Sequence, residues 1–189
     1  MIRASAMASV LLFASCANVE SPPRTEAPYG SASTGLSPQQ VSAGFVVAVV
    51  EGCAAAAEAG KRLEQLGSDK IVRETGPTMI PLKPGATAWA PIPGQGIVTI
   101  EEEADGKCNV SAYGPPVAAT FDAIVSALRA RGYAPQPVPD AGSKFYQHSL
   151  TLTANGRTVN VTLIGNEPGA AGMRSRFSIA SGFVTVKTP

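Results

Sequence analysis

The chain has 189 residues, of which 44% are hydrophobic, 15% are charged and 6% are aromatic, with 19 glycines and 16 prolines. This composition is typical of a globular domain with many turns, and the length allows one domain together with a leader and a linker. The fifteen Lys and Arg against fourteen Asp and Glu form no basic cluster that would bind a phosphate backbone, so no nucleic-acid partner is expected.

The N-terminus has the pattern of a bacterial export signal. Arg3 is followed by an apolar run over residues 4–15, which ends in small residues. A basic residue, a short apolar segment and small residues at its end are the parts of a secretory signal peptide. Because a membrane-spanning helix needs about 20 apolar residues, this run is too short to span a bilayer. We therefore predict a signal peptide over residues 1–15.

Cys16 directly follows this segment and is preceded by Ala14 and Ser15. These residues resemble the lipobox of bacterial lipoproteins, although Phe13 stands where that family prefers Leu. The resemblance implies cleavage before Cys16, a thioether-linked diacylglyceryl group on its sulfur and an acylated amine. Three acyl chains exceed what stable membrane anchoring requires. The alternative is an ordinary signal peptide that is cut after Ala17, which would remove Cys16.

The resemblance also implies a location. Ala17 occupies the position at which Asp would retain a lipoprotein in the inner membrane of many Gram-negative bacteria. We therefore expect a lipid anchor in the outer membrane, with the protein facing the periplasm, as in small lipoproteins of the Gram-negative envelope. A soluble periplasmic or secreted protein is the alternative.

Residues 16–36 are predicted to be a tether between the anchor and the folded part. After Cys16 the segment reads ANVESPPRTEAPYGSASTGL, in which Pro, Ser, Thr, Gly and Ala dominate and no apolar period is visible. Such a composition is typical of a flexible linker. The remainder, residues 37–189, is predicted to be a single domain.

Two helices are predicted in this domain. The first begins at Ser37, an N-cap that is followed by Pro and by Gln40, which closes a capping box. Its apolar period begins at Val41 and is interrupted by charged residues, which favours an amphipathic core helix over a membrane span. Gly60 either ends this helix or is tolerated in it, and in the second case the period continues through Leu66 to Gly67. The second helix has apolar residues on one face over residues 117–128 and ends at Gly132.

Strand patterns fill most of the rest. The predicted strands are residues 70–75, 86–90, 96–103, 108–113, 145–153, 157–164 and 174–186. The dipeptide Asp105-Gly106 suits a two-residue type I′ hairpin turn, and Asn155-Gly156 indicates a second hairpin turn. The prolines in the stretch 133–139 are expected to prevent regular structure there. This order predicts an α+β domain, in which two main helices pack on one face of an antiparallel sheet.

Cys53 and Cys108 remain if Cys16 is lipidated or removed. An even pair of cysteines in an exported chain is predicted to form a disulfide, which would join the first helix to the sheet. Two buried free thiols are the alternative. A redox role is not expected, because the chain has no Cys-x-x-Cys sequence.

Residues that could carry catalysis are few. His148 is the only histidine, and its strand places it among leucines, which favours a core or edge residue over a triad member. Ser149 points to the opposite face. The acidic cluster over residues 101–105 is typical of a solvated strand end, and a glycosidase pair of Glu101 and Glu103 is the alternative. No cofactor and no metal site are predicted.

Two further features have both a binding and a structural interpretation. Trp89, the only tryptophan, lies in a Pro/Gly-rich stretch. On a loop it would anchor a peptide or glycan, whereas turned inward it would close one end of the core, and the second interpretation is favoured. The proline-rich stretch 133–139 could dock a partner in extended form or act as a spacer.

Three classes of function are compatible with these features. The leader, the tether, the disulfide and the lack of a catalytic group favour a non-enzymatic accessory or binding lipoprotein, anchored to a membrane and with a possible partner protein in the envelope. The first alternative is a periplasmic inhibitor that inserts loop 87–96 or loop 165–172 into a hydrolase. The second, least favoured, is a hydrolase that uses carboxylates or Ser149.

Overall fold

The computed structural model describes residues 35–78, 81–92, 96–138, 145–168 and 178–187. The predicted signal peptide, Cys16 and all but the last two residues of the predicted tether lie outside these ranges. The described residues form an antiparallel sheet of eight strands together with helices, so the predicted α+β class is confirmed. The sheet accounts for most of the regular structure.

The eight strands are β1 (Val72–Arg73), β2 (Thr87–Ala90), β3 (Val98–Glu102), β4 (Cys108–Tyr113), β5 (Ala134–Gln136), β6 (Tyr146–Ala154), β7 (Arg157–Asn166) and β8 (Ile179–Lys187). Their order across the sheet is β1-β2-β3-β4-β8-β7-β6-β5. The antiparallel pairing of β4 with β8, from Cys108↔Val184 to Tyr113↔Ile179, joins two halves of four strands each.

The two halves have the same order of elements along the chain. A helix precedes β1–β4, and a second helix precedes β5–β8. Both helices contact the same face of the sheet: Gly182 lies against Phe45 and Val49, and Gly165 lies against Val117 and Phe121. In the sequence this arrangement is visible only as a helix followed by a hairpin, which occurs twice.

The first helix, Pro38–Ala59, is 22 residues long and is less regular than predicted. It consists of an α-helix (Pro38–Val46), a π-helix (Val47–Ala54) and a short α-helix (Ala55–Ala59). The predicted capping box is confirmed: the Gln40 N–H bonds to Ser37 Oγ at 3.2 Å, and the Ser37 N–H bonds to Gln40 Oε1 at 2.8 Å.

Among the described helices, Pro38–Ala59 alone is long and apolar enough to cross a membrane, with a mean hydropathy of 1.6 in its most apolar window. Core helices of folded domains have the same properties. Phe45 and Val49 on this helix are completely buried in the hydrophobic core.

The helix ends at Gly60, the earlier of the two predicted endings. Gly60 has a φ of 63°, and its N–H bonds to Ala57 O at 3.2 Å while the Lys61 N–H bonds to Ala56 O at 2.9 Å. These two bonds form a Schellman motif, which terminates a helix. Of the two predicted endings, the one at Gly60 is confirmed and the continuation to Gly67 is wrong, because Leu63–Leu66 form a separate 3₁₀ helix.

The second helix, Val117–Ala130, is regular over its whole length, as its apolar spacing predicts. Phe121, Ile124 and Leu128 form its buried face. Its first turn lies beside Glu167, whose Oε1 accepts the Val117 N–H at 2.8 Å. A carboxylate at this end of a helix satisfies free N–H groups and interacts favourably with the helix dipole.

The two predicted hairpins are both present but differ in their turns. The predicted hairpin turn at Asn155-Gly156 is confirmed between β6 and β7, and the positive φ of both residues, 53° and 70°, makes it type I′. Between β3 and β4 only Gly106 has a positive φ, and the Glu103 N–H bonds to Lys107 O. The β3–β4 hairpin therefore has a three-residue turn instead of the predicted two-residue turn.

One strand forms where prolines were expected to prevent it. Ala134–Gln136 pairs with β6, with Pro135 opposite Leu150, and this strand is an edge of the sheet. A proline has no N–H to donate, and it is tolerated in an edge strand because only one side must pair. Pro139 lies outside the described residues.

The predicted disulfide between Cys53 and Cys108 is confirmed. Cys53 lies in the π-helical part of the first helix, and Cys108 is the first residue of β4. Their Cα atoms are 5.7 Å apart, and both residues are buried. The disulfide links the first helix covalently to β4, a central strand of the sheet.

Candidate functional site

Of the predicted site residues, Cys53 and Cys108 meet in the disulfide, whereas the candidates Trp89 and His148 lie on different strands, β2 and β6. Cys16 lies outside the described residues. Trp89 lies in β2 and is 9% exposed, a position that favours the core interpretation over a binding loop. His148 is half-buried, and its ring packs edge-on against Phe121 with 6.1 Å between the ring centroids. Ser149, the next residue on the strand, has its side chain on the other face of the sheet.

The loops proposed for an inhibitor are largely strand where they are described. Residues 87–90 form β2, and residues 165 and 166 are the end of β7. Residues 93–95 and 169–172 of these loops lie outside the described residues. The described parts therefore give no support for a protruding inhibitory loop.

Glu102 is a buried carboxylate, 4% exposed, on the core face of β3. Its Oε2 accepts the Trp89 indole N–H at 3.1 Å, and its Oε1 accepts the Leu63 N–H at 2.9 Å and pairs with Arg62 Nε at 3.0 Å. The prediction of a solvated acidic cluster is wrong for this residue. The strand alternation turns it inward, where the indole and guanidinium groups supply the hydrogen bonds that a buried carboxylate needs.

The other acidic residues of the cluster contact lysines at the surface. Glu103 bonds to Lys83, and this hydrogen bond holds the pKa of Glu103 below its usual value. Asp105 lies 2.7 Å from Lys107 Nζ, and the hydrogen bond from Lys107 likewise lowers the pKa of Asp105. A glycosidase acid needs a raised pKa, so these contacts do not favour the glycosidase alternative.

A groove of about 380 Å³ lies beside this cluster. It is bounded by the end of the first helix, the turn between β3 and β4, and the start of β7. Its polar lining residues are Lys61, Arg62, Gln65, Asp105, Lys107 and Arg157. Four of these six side chains are cationic and one is anionic.

Two of the four cations are engaged by other groups of the protein. Arg62 pairs with Glu102, and its Nη1 donates to the carbonyl oxygens of Glu103 at 2.8 Å and Ala104 at 2.9 Å. Lys107 pairs with Asp105. These contacts hold the β3–β4 turn against the 3₁₀ helix and shape one wall of the groove.

The other two cations are Lys61 and Arg157. Within the described part of the chain, neither side chain makes a hydrogen bond or an ion pair. Lys61 is exposed and Arg157 is half-buried. The groove therefore holds two positive charges that the described residues do not neutralise.

Arg157 lies directly over Gly60. A Cβ atom on Gly60 would be 1.3 Å from Arg157 Nη1 and 2.3 Å from its Cζ, so the guanidinium occupies the space that a side chain at position 60 would fill. The positive φ of Gly60 already favours glycine there. The same glycine therefore ends the helix and makes room for the arginine.

A second depression of about 400 Å³ lies nearby and is lined by residues that include Lys83 and Glu103. These two charges pair with each other. The first groove is the better candidate for a binding site because its charges remain available to a ligand.

Lys61 and Arg157 were not predicted from the sequence. The two residues are far apart in the chain, and neither belongs to a recognisable motif. The signals in the sequence were Gly60 and the Asn155-Gly156 turn, which place the two residues at the ends of their elements but not beside each other.

Comparison of the chain with protein-family models, with curated proteins and with solved structures finds no match. Among the described residues, no group of three or more His, Cys, Asp or Glu side chains is arranged to hold a metal ion.

Proposed function

We propose that the protein is a non-enzymatic accessory or binding lipoprotein of the cell envelope. In this proposal Cys16 carries the lipid anchor in the outer membrane, residues 16–36 form the tether, and residues 37–189 form the presented domain. The domain presents two main helices on one face of its antiparallel sheet. Its partner is another component of the envelope.

The disulfide is the observation that carries this proposal. Disulfides form and persist in oxidising compartments such as the periplasm and are rare in the bacterial cytoplasm. The Cys53–Cys108 bond closes a separation of 55 residues and joins a core helix to a central strand. The disulfide agrees with the export signal that the N-terminal sequence indicates, and the two features lie in separate parts of the chain.

The contacts of the ionisable groups support a binding role over catalysis. Glu102 accepts bonds from three donors inside the core, which is a structural use of a carboxylate. His148 packs against Phe121, and Glu103 and Asp105 pair with lysines. A general acid or base needs a proton that it can exchange with a substrate, and these groups serve the fold instead.

The proposed tether has a suitable length for presenting the domain. A flexible chain of roughly 20 residues has a root-mean-square span of about 25 Å. The first helix begins at Pro38, immediately after the tether. The domain would therefore stand clear of the lipid headgroups and be free to turn.

The test is fractionation and intact mass measurement of the protein from its native membrane, without reductant. The expected species begins at Cys16, is heavier by its acyl groups and lighter by two protons, and stays with the membrane. A Cys16→Ser variant is the control and is expected to leave the membrane fraction. A soluble wild-type chain that begins after Ala17 would contradict the proposal of a lipid anchor.

A further inference from the structure

We propose that the groove between the first helix, the β3–β4 turn and the start of β7 binds an oxyanion, either a carboxylate or a phosphate group of a ligand. The side chains that would hold it are Arg157 and Lys61. This inference goes beyond the proposed function, and it does not depend on whether Cys16 is lipidated.

The balance of charge in the groove is the first argument. Arg62 is neutralised by Glu102, and Lys107 by Asp105. Lys61 and Arg157 line the same groove without an anionic partner among the described residues. A ligand that brings one or two negative charges would complete this arrangement.

The second argument is that, within the described residues, neither the Lys61 nor the Arg157 side chain makes a hydrogen bond to the carbonyl oxygens at the helix end. A positive charge beside the last turn of a helix interacts favourably with its dipole, and this is the structural alternative for Arg157. The carbonyl oxygens of Ala56 and Ala57, however, already accept the N–H groups of Lys61 and Gly60. Among the described residues, no acceptor takes a hydrogen bond from the Arg157 guanidinium, so its donors face the groove without a partner there.

The shape of the site is the third argument. The guanidinium of Arg157 lies against the bare backbone of Gly60, and Arg157 is half-buried, so part of the water around it is removed. A planar guanidinium presents parallel N–H groups that match the two oxygens of a carboxylate or phosphate. Partial burial strengthens such a pair, because the effective dielectric constant falls.

The experiment is an NMR titration of the full-length, disulfide-bonded chain in neutral detergent. Sodium phosphate and sodium acetate are added separately, and sodium chloride keeps the ionic strength constant. Saturable shifts are expected at the amides of Gly60, Lys61, Gly106 and Arg157. The salt that saturates at the lower concentration identifies phosphate or carboxylate as the preferred group.

The variant Arg157→Gln removes the charge and keeps most of the side-chain volume. It is expected to weaken binding by about tenfold, since hydrogen bonds to charged groups contribute this much or more. Lys70→Gln is the matched control, because Lys70 pairs with Glu51 outside the groove. It is expected to leave the titration unchanged.

A pair of glycine variants distinguishes weaker binding caused by displacement of Arg157 from weaker binding caused by a less stable fold. Gly60 and Gly67 have nearly the same φ, 63° and 61°, but a Cβ atom on Gly67 would meet nothing within 4 Å. Gly60→Ala and Gly67→Ala should therefore lose similar stability, whereas only Gly60→Ala displaces Arg157. We expect several-fold weaker binding for Gly60→Ala alone.

Two results would overturn the inference. One is a titration in which neither salt gives saturable shifts at the groove. The other is a wild-type response that Arg157→Gln leaves unchanged. The second result decides the matter even if Gly60→Ala fails to fold, because Arg157→Gln changes no backbone conformation.

Discussion

The indole N–H of Trp89 donates a hydrogen bond to Glu102 Oε2 at 3.1 Å, and both side chains are buried. The other oxygen of Glu102 pairs with Arg62, which lines the groove. The only tryptophan is thus connected to the wall of the candidate site through one carboxylate. Its fluorescence should report both unfolding and any change in this hydrogen-bond network.

Glu102→Gln should lower the free energy of unfolding by about 2 kcal/mol. The substitution leaves the half-buried Arg62 without its counterion, and the loss is smaller than for a fully buried pair because Arg62 is partly solvated. Urea unfolding followed by circular dichroism measures this change. Trp89 emission should shift at the same time, because its acceptor loses the negative charge.

Glu64→Gln is the control for this measurement. Glu64 is exposed in the 3₁₀ helix Leu63–Leu66, and surface substitutions usually change stability by less than about 0.5 kcal/mol. Equal unfolding free energies for the two variants would show that the Glu102 network contributes nothing to stability.

Replacing both Cys53 and Cys108 by Ala should destabilise the domain by about 4 kcal/mol. The estimate follows from the entropy of closing a separation of 55 residues in the unfolded chain. Reduction of the wild-type protein should produce a similar loss in urea unfolding. A wild-type midpoint that does not change on reduction would contradict the stabilising role of the bond.

Tyr133 should make the domain less stable at alkaline pH. Its hydroxyl donates to Glu58 Oε1 at 3.0 Å, and burial together with the charge of Glu58 raises the pKa of Tyr133 well above its usual value. The unfolded chain ionises at the usual value of about 10. The contribution of Tyr133 is therefore complete below that pH and is lost as the pH rises above it.

Tyr133→Phe tests this contribution. The variant should lose about 1 kcal/mol at neutral pH, the typical net value of one hydrogen bond, and its stability should fall less steeply above pH 10. Tyr113→Phe is the comparison, because the Tyr113 hydroxyl has no hydrogen bond to the described residues and Tyr133 stays in place. The prediction fails if both variants keep the wild-type dependence on alkaline pH.

Gly165→Ala should destabilise the packing of the second helix on the sheet. The new Cβ would lie 2.7 Å from Val117 Cγ1 and 2.8 Å from the carbonyl oxygen of Ile179, so the backbone must move. We expect a loss of about 2 kcal/mol in unfolding free energy. Gly44→Ala is the control, since its Cβ meets only side-chain ends and Ala favours the helix.

Local signals in the sequence predicted the parts of the fold that depend on neighbouring residues. The capping box at Ser37, the hairpin turn at Asn155-Gly156 and the apolar face of Val117–Ala130 all depend on residues a few positions apart. The disulfide also followed, because an exported chain with two remaining cysteines offers one pairing. These features need no knowledge of the tertiary structure.

The errors came from contacts between distant residues. The inward position of Glu102 is stable only because Arg62 and Trp89 supply donors from other elements. The strand at Pro135 forms because that segment happens to lie at an edge of the sheet. The local sequence pattern does not show which residues will lie beside Glu102, nor that Pro135 will lie at an edge of the sheet. The same holds for the groove, where Gly60 and Arg157 meet across 96 intervening residues.

The sheet ends on one side in the two residues of β1 and on the other in β5, which has Pro135 at its centre. Lipid-anchored proteins share a two-dimensional surface, where collisions between neighbours are frequent. Long open edges would let such neighbours add strands to one another and grow into fibres. With edges this short and with a proline in one of them, the sheet would resist such strand addition even at the surface density that the proposed lipid anchor implies.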